Sequence, residues 1–367
     1  MRITVFGAGN GALALASRLT CKGHHCTMFN RTPTKYDDVM TSGCLKVRFE
    51  GSERWVRIHK IADLAEDAIA GSKLIVVAVP VTGQGYYAQL IAKSLHDDQI
   101  ILLAPGHTGG ALQFCKYLRD FGYKGKQNVY ETSTLPYVCR VEADKVVAIY
   151  REAKHVLLGS IGGDSQMLRT ILRLFPQFVP VDNVLVSSLS NINSVLHPPG
   201  MLVNAGYIER METPFTFYYE GATSSVASLI AELDKERCSI ADSLGLKVDP
   251  FIDIFHKWGY TSDEAWEQRD IKQAMLDSIP NQSILCPTSL DTRYIHEDVG
   301  YGLVPIKYFG CIAGVETPVM DSFIKLFSII NSRDYLSEGL TLEKMGLPKK
   351  SNRGNIFETI HKLSEAV

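Results

Sequence analysis

Arg2-Ile3-Thr4-Val5-Phe6-Gly7-Ala8-Gly9-Asn10-Gly11-Ala12-Leu13-Ala14-Leu15-Ala16 decides the fold. A β-branched run passes through a glycine-rich turn into small and aliphatic residues of high helix propensity, which predicts a strand, a tight turn and a helix. Within it Gly7-Ala8-Gly9-Asn10-Gly11-Ala12 fits the pattern G-x-G-x-x-G/A. In a dinucleotide-binding unit Gly7 permits the turn, Gly9 lets backbone approach a pyrophosphate, and Ala12 lets the helix pack closely on the strand. The amides at the helix start then meet the anion. A plain tight βα turn would use similar residues; the strand before and the helix after favour the nucleotide. The expected cofactor contacts here are Gly7, Gly9, Asn10, Gly11 and Ala12.

The second strand is expected at residues 26–29 and runs on into Asn30-Arg31. An NAD enzyme places an acid at this distance from the glycines, to bind the ribose 2′-hydroxyl. None stands here. Asn30 can bond a hydroxyl or a phosphate, and the Arg31 guanidinium suits the 2′-phosphate of NADP, although a solvated arginine after a strand reads the same way. The expectation is NADP, with NAD possible. Two later segments, Val79-Pro80-Val81-Thr82-Gly83 and Ala104-Pro105-Gly106-His107-Thr108-Gly109, each follow a strand end, where open α/β sheets bind ligands. Pro80 joins the expected cofactor set, while the glycines and threonines also serve as ordinary turn formers.

Outward from this core, strands at 3–6, 26–29, 74–79, 100–103 and around Val129 alternate with helical stretches at 12–20, 84–93 and 110–120. Strand-like runs follow at 146–150 and 155–158, with a helix at 165–174. Continuous apolar strands alternating with amphipathic helices predict a Rossmann-type, doubly wound parallel sheet. From 185 to 246 and from 322 onward the spacing is helical, which predicts an all-α C-terminal domain. The expected domains are 1–182 and 183–367. Breaks are expected at His197-Pro198-Pro199-Gly200, around Pro280 and Pro287, and at Val299-Gly300-Tyr301-Gly302.

At 367 residues and 46% hydrophobic content the chain can bury two cores. A net charge of −2 without long charge runs speaks against nucleic acid and anionic lipid as partners. The eight cysteines show no CxxC pair and no zinc spacing, so no metal is expected. With no apolar run near the roughly 20 residues a bilayer needs, the expectation is a cytoplasmic enzyme acting on small molecules, monomeric or homodimeric.

Three further stretches are informative together: Glu131-Thr132-Ser133-Thr134-Leu135-Pro136-Tyr137 with Cys139-Arg140; Asn191-Ile192-Asn193-Ser194-Val195-Leu196-His197-Pro198-Pro199 with Asn204-Ala205-Gly206; and Arg293-Tyr294-Ile295-His296-Glu297-Asp298-Val299-Gly300-Tyr301-Gly302-Leu303-Val304-Pro305. Through these, in this order, the sequence resembles the NAD/NADP octopine/nopaline dehydrogenase family over nearly its whole length. The resemblance implies reductive condensation of an amino acid with a 2-oxo acid such as pyruvate, by hydride transfer from NAD(P)H to an imine in an interdomain cleft. It assigns His197 as acid–base, Asp298 as its carboxylate partner, and Arg293 as the cation holding a substrate carboxylate.

The residue chemistry is consistent with that assignment. Losing water to form an imine requires a group that shuttles protons near neutral pH, and histidine is suited to it. A carboxylate on the other ring nitrogen fixes the tautomer. Asn193, four residues before His197, shares its face if the stretch is helical. Thr132 and Glu131 are candidate substrate contacts, or parts of a structural crossover. Taken without the resemblance, His197 also reads as the last residue before a helix break. Likewise Asp298 reads as a loop acid, and Arg293 as one half of a surface pair with Asp291 or Glu297. Alternative activities are a simpler 2-oxo acid reductase of the ketopantoate reductase kind, or an NADP-binding protein without turnover.

Overall fold

The computed structural model describes residues 1–31, 37–142 and 145–365. The chain forms two compact units. The first comprises Met1–Gly106, Gly110–Val184 and the residues from Ile360 on; the second comprises His107–Gly109 and Leu185–Thr359. The main division thus lies close to residue 182, but two short pieces change sides relative to a single cut.

In the first unit the strands are β1 (Arg2–Phe6), β2 (His25–Phe29), β3 (Cys44–Phe49), β4 (Ser52–Arg57), β5 (Lys60–Ile61), β6 (Leu74–Val77), β7 (Ile100–Leu103), β8 (Asn128–Thr132), β9 (Tyr137–Val141), β10 (Val146–Glu152), β11 (Val156–Gly162) and β12 (Phe178–Pro180). Its helices are α1 (Asn10–Cys21), α2 (Asp37–Ser42), α3 (Ala65–Ile69), α4 (Val81–Ile91), α5 (Gly110–Asp120) and α6 (Ser165–Leu174). Eight strands make the main sheet in the order β12-β11-β8-β7-β6-β1-β2-β5. Leu74-Ile75-Val76-Val77 and Ile100-Ile101-Leu102-Leu103 are buried along their whole length, the pattern of strands covered on both faces. Every pairing in this sheet is parallel except β11 with β8, so the expected parallel sheet carries two reversed strands, β11 and β12, at one edge. Because β1 lies between β2 and β6, the chain order reverses there. Such a switch point opens a crevice beyond the strands' carboxyl ends, where Gly7 and Val79 follow β1 and β6.

A second, four-stranded sheet, β4-β3-β10-β9, was not anticipated. It joins the expected strand at 146–150 to a hairpin that the sequence reading passed over. In that hairpin Phe49 pairs with Ser52 across Glu50 and Gly51, whose φ values of 49° and 74° are those of a two-residue turn matched to strand twist. Leu45 and Val47 face inward, but β4 has only Val56 buried. Charged residues therefore mask its period of two.

The second unit holds α7 (Val184–Leu189), α8 (Asn193–Val203), α9 (Ala205–Ile208), α10 (Ser224–Ser243), α11 (Phe251–Lys257), α12 (Asp263–Glu267), α13 (Ile271–Leu276), α14 (Arg293–Asp298), α15 (Val304–Ala313), α16 (Pro318–Ile330), α17 (Tyr335–Glu338) and most of α18 (Arg353–Ser364). Among its described residues the β-structure is an isolated bridge, Thr216 with Leu285. Buried Arg237 cross-links this unit, donating to Asp234 Oδ1 at 2.9 and 2.6 Å and to the carbonyls of Leu189 and Asp249 at 2.7 Å each. Removing one partner of such a buried pair costs about 3–5 kcal/mol.

Two of the expected breaks take another form. Pro198 and Pro199 lie inside α8, which runs on through Gly200 to Val203. Each proline deletes a helical amide donor, so the helix is held by its packing. A Cβ on Gly200 would come within 2.4 Å of the Phe217 ring, and one on Gly302 within 2.5 Å of Ser194. The second of these glycines sits in a π-helical turn, Val299–Leu303, which continues α14 into α15 where a loop was expected.

Candidate active site

The first unit contributes a glycine turn at the switch point. Gly7 adopts φ +110°, and a Cβ there would stand 2.6 Å from the Ala78 carbonyl and 3.3 Å from Ala12 Cβ. Glycine is required at this position for both conformation and space, and Ala12 sits as tightly against it as the motif implies. Gly9 is exposed, and a Cβ on it would meet nothing within 4 Å, so its backbone faces open space at the N-cap of α1. The first turns of α1 and α4 carry no acidic residue, so the helix starts after β1 and β6 could each receive an anion. Gly11 owes its size to Leu135, whose methyl lies 2.9 Å from an added Cβ. The Asn10 side chain accepts from the Val141 amide at 3.0 Å, tying α1 to β9.

Beyond β2, Tyr87 gathers the two residues expected to choose between nucleotides. Its hydroxyl lies 3.4 Å from Asn30 Oδ1 and receives the Arg31 backbone amide at 3.3 Å. Burial pushes its phenol pKa up, so it stays a neutral hydrogen-bonding group. The exposed Arg31 guanidinium lies 4.9 Å over the Tyr86 ring, presenting its edge at the end of β2. Pro80 is the N-cap of α4.

Glu131 and Thr132 are enclosed within β8, at 0% and 1% exposure. Glu131 Oε2 accepts the Ala111 amide at 2.9 Å, anchoring the start of α5. Thr132 Oγ1 reaches the Leu103 carbonyl at 3.4 Å. In place of the expected substrate contacts, these side chains have structural ones.

In the second unit the expected imidazole and carboxylate do meet. His197 Nδ1 lies 2.7 Å from Asp298 Oδ2, both residues being buried. Nε2 faces the Tyr218 hydroxyl at 3.3 Å. Tyr294 stacks on the imidazole at 3.9 Å between centroids and 11° between planes, while Phe217 meets it edgewise at 5.6 Å. A carboxylate beside Nδ1 favours the tautomer that carries its proton on that nitrogen. Asn193 lies one helical turn before His197 on α8 and is half-buried. Arg293 opens α14, 62% exposed, with Nε 3.3 Å from Glu297 Oε2. It therefore does pair with Glu297, but that contact occupies one edge of the guanidinium. Tyr218 and Tyr294 were missed, although Tyr294 stands beside Arg293 in a stretch already singled out.

Residues 180–331 match the model of the NAD/NADP octopine/nopaline dehydrogenase alpha-helical domain, and residues 2–114 that of the NAD-dependent glycerol-3-phosphate dehydrogenase N-terminus. The opine dehydrogenase of Arthrobacter sp. (strain 1C) is 33% identical over 345 residues, 94% of each chain. The chain belongs to the opine dehydrogenase family. Its fold is also that of an octopine dehydrogenase solved with NADH and L-arginine (TM-score 0.78, 19% identity, 97% of each chain). It is likewise that of a yersinopine dehydrogenase solved with NADP+ (TM-score 0.70, 14% identity, 99% of this chain and 98% of the other). As an opine dehydrogenase the chain is an NAD(P)-dependent oxidoreductase acting on CH–NH bonds. No helix among the described residues is long and apolar enough to cross a membrane.

Proposed function

We propose that this opine dehydrogenase joins the amino group of an amino acid to a 2-oxo acid such as pyruvate, with His197 as its acid–base, and that it prefers NADPH. The observation that carries the reading is the buried 2.7 Å contact between His197 Nδ1 and Asp298 Oδ2. That contact holds the ring in one tautomer and offsets the positive charge that appears when Nε2 takes a proton. The Nε2 proton goes to the hydroxyl that leaves as water when the amine adduct becomes an imine, and the same nitrogen recovers it in the reverse reaction. Asn193, one turn away, hydrogen-bonds the substrate, and the outer edge of Arg293 takes a carboxylate. The Gly7–Ala12 turn would hold the pyrophosphate of the dinucleotide, whose nicotinamide would supply the hydride.

The preference for NADPH rests on Arg31, which stands where an NAD enzyme carries an acid and is steadied by the Tyr86 ring. All eight cysteines are free, which fits a reducing compartment and a cytoplasmic enzyme.

The deciding experiment follows NADPH and NADH absorbance with 2-oxo acids crossed against amino acids. Turnover should require both partners. Equal turnover with the oxo acid alone would identify a simple 2-oxo acid reductase, and nucleotide binding without turnover across the whole panel would identify a silent binding protein.

A further inference from the structure

Sequence reading gives His197 a single partner, yet α14 delivers two. Tyr294 and Asp298 are four residues apart in that helix, so they project from the same face, and both touch the imidazole. Asp298 meets the ring at its Nδ1 edge. Tyr294 lies flat against its face at 3.9 Å and 11°, and Phe217 closes in edgewise.

The two contacts differ in what they do for the neutral and the protonated ring. A carboxylate at Nδ1 orients the ring in either state and favours the charged one. The face of a phenol is the negative side of its quadrupole. It attracts a cation laid upon it, and gains little beyond dispersion from a neutral ring. A parallel stack at this distance therefore stabilises imidazolium over imidazole. Purely structural packing would favour neither state.

We propose that Tyr294 is a positioning residue for proton transfer, its ring holding His197 in place and favouring the protonated imidazole that the condensation needs. The proposal rests on the reading of His197 as the acid–base.

Most charged groups on the elements packed against α8 are paired, Lys235 with Glu232 on α10 among them. On α14, Arg293 pairs with Glu297 and His296 with Asp291. On α10, Asp234 pairs with Arg237, and Glu236 accepts the Val319 and Met320 amides. Among the described residues, those elements also carry Cys238 and Asp242 on α10, Tyr207 on α9 and Tyr301 in the π-helical turn, and the Tyr218 hydroxyl lies at Nε2.

The test reads the imidazole directly, by NMR titration of the His197 ring nitrogens in the full chain. Tyr294→Phe keeps a π face and should leave the midpoint nearly unchanged. Replacing Tyr294 by pentafluorophenylalanine keeps the shape and reverses the quadrupole, and should lower the midpoint by about half to one pH unit. Tyr294→Leu should lower it similarly. In the fluorinated and leucine proteins the pH profile of reductive kcat/KM should move to lower pH together with the midpoint, and in Tyr294→Phe it should stay in place. A midpoint that ignores fluorination, or that shifts as much in Tyr294→Phe as in the fluorinated protein, overturns the proposal. The midpoint is independent of turnover. An active His197→Ala protein would therefore remove the catalytic reading without touching this result, and an unshifted midpoint would remove this inference without touching that reading.

Discussion

At His197 the two ring nitrogens face different neighbours, a carboxylate at 2.7 Å and a hydroxyl at 3.3 Å, and that asymmetry defines what each substitution should do. His197→Ala is expected to lower kcat by roughly 10²- to 10⁴-fold with nucleotide affinity retained, measured by steady-state kinetics beside NADPH fluorescence titration. Arg293→Lys should chiefly raise KM for a carboxylate substrate, because an ammonium cannot offer two parallel donors. Arg31→Leu should reduce kcat/KM with NADPH and leave NADH nearly unaffected; equal losses with both would remove Arg31 from the 2′-phosphate. Burial pushes the thiols of Cys26, Cys139 and Cys286 up to about 11, 12 and 12, whereas Cys21 and Cys311 are exposed. Mass spectrometry after brief alkylation at neutral pH should therefore find the last two labelled first. His197, Asp298 and Arg293 could be singled out as candidates because they stand in stretches resembling a known family, and the contact of the first two is seen in the structure. Tyr218 and Tyr294 were not singled out, since an aromatic residue that touches the His197 ring has the same sequence signature as one that fills a core.

Among the elements, the glycine turn shows how neighbouring positions with one residue type answer to different constraints. Gly7→Ala forces a side chain into φ +110° and against the Ala78 carbonyl, a conformational cost of at least about 1–3 kcal/mol that should appear as a lowered Tm. Gly9→Ala meets no protein atom within 4 Å. Its Tm should be unchanged while KM for the nucleotide rises, and a normal KM would mean that the phosphates lie elsewhere. The strand-turn-helix that made this turn legible is local, written within fifteen residues of chain. The β3–β4 hairpin was harder to see because its outer strand is nearly all exposed and half of it is charged. The prolines of α8 misled for the opposite reason: their intrinsic preference is plain, and tertiary packing overrides it.

For the molecule as a whole, the change from alternating strands to continuous helical spacing led to an expected boundary at residue 182, and the first unit runs to Val184 with the second from Leu185. The exceptions, His107–Gly109 and the residues from Ile360 on, depend on contacts distant in sequence. Gly109 donates its amide to Ser188 Oγ at 3.2 Å, within the second unit. The last turns of α18 bind the first: Ser364 Oγ accepts the Gly162 amide at 3.2 Å, and Arg119 donates to the Lys362 carbonyl at 2.8 Å. Deleting α18 strips buried Ile356 and Leu363, each worth about 1.5–3 kcal/mol, and should lower Tm by several degrees in a calorimetric scan. Because α18 begins in one unit and ends in the other, the polypeptide travels out and back, and neither half corresponds to an uninterrupted reading frame. A gene fragment stopping after Val184 omits the tail that belongs with it. Anyone wishing to exchange nucleotide modules between relatives would have to transplant two separated segments, or first move the termini by circular permutation.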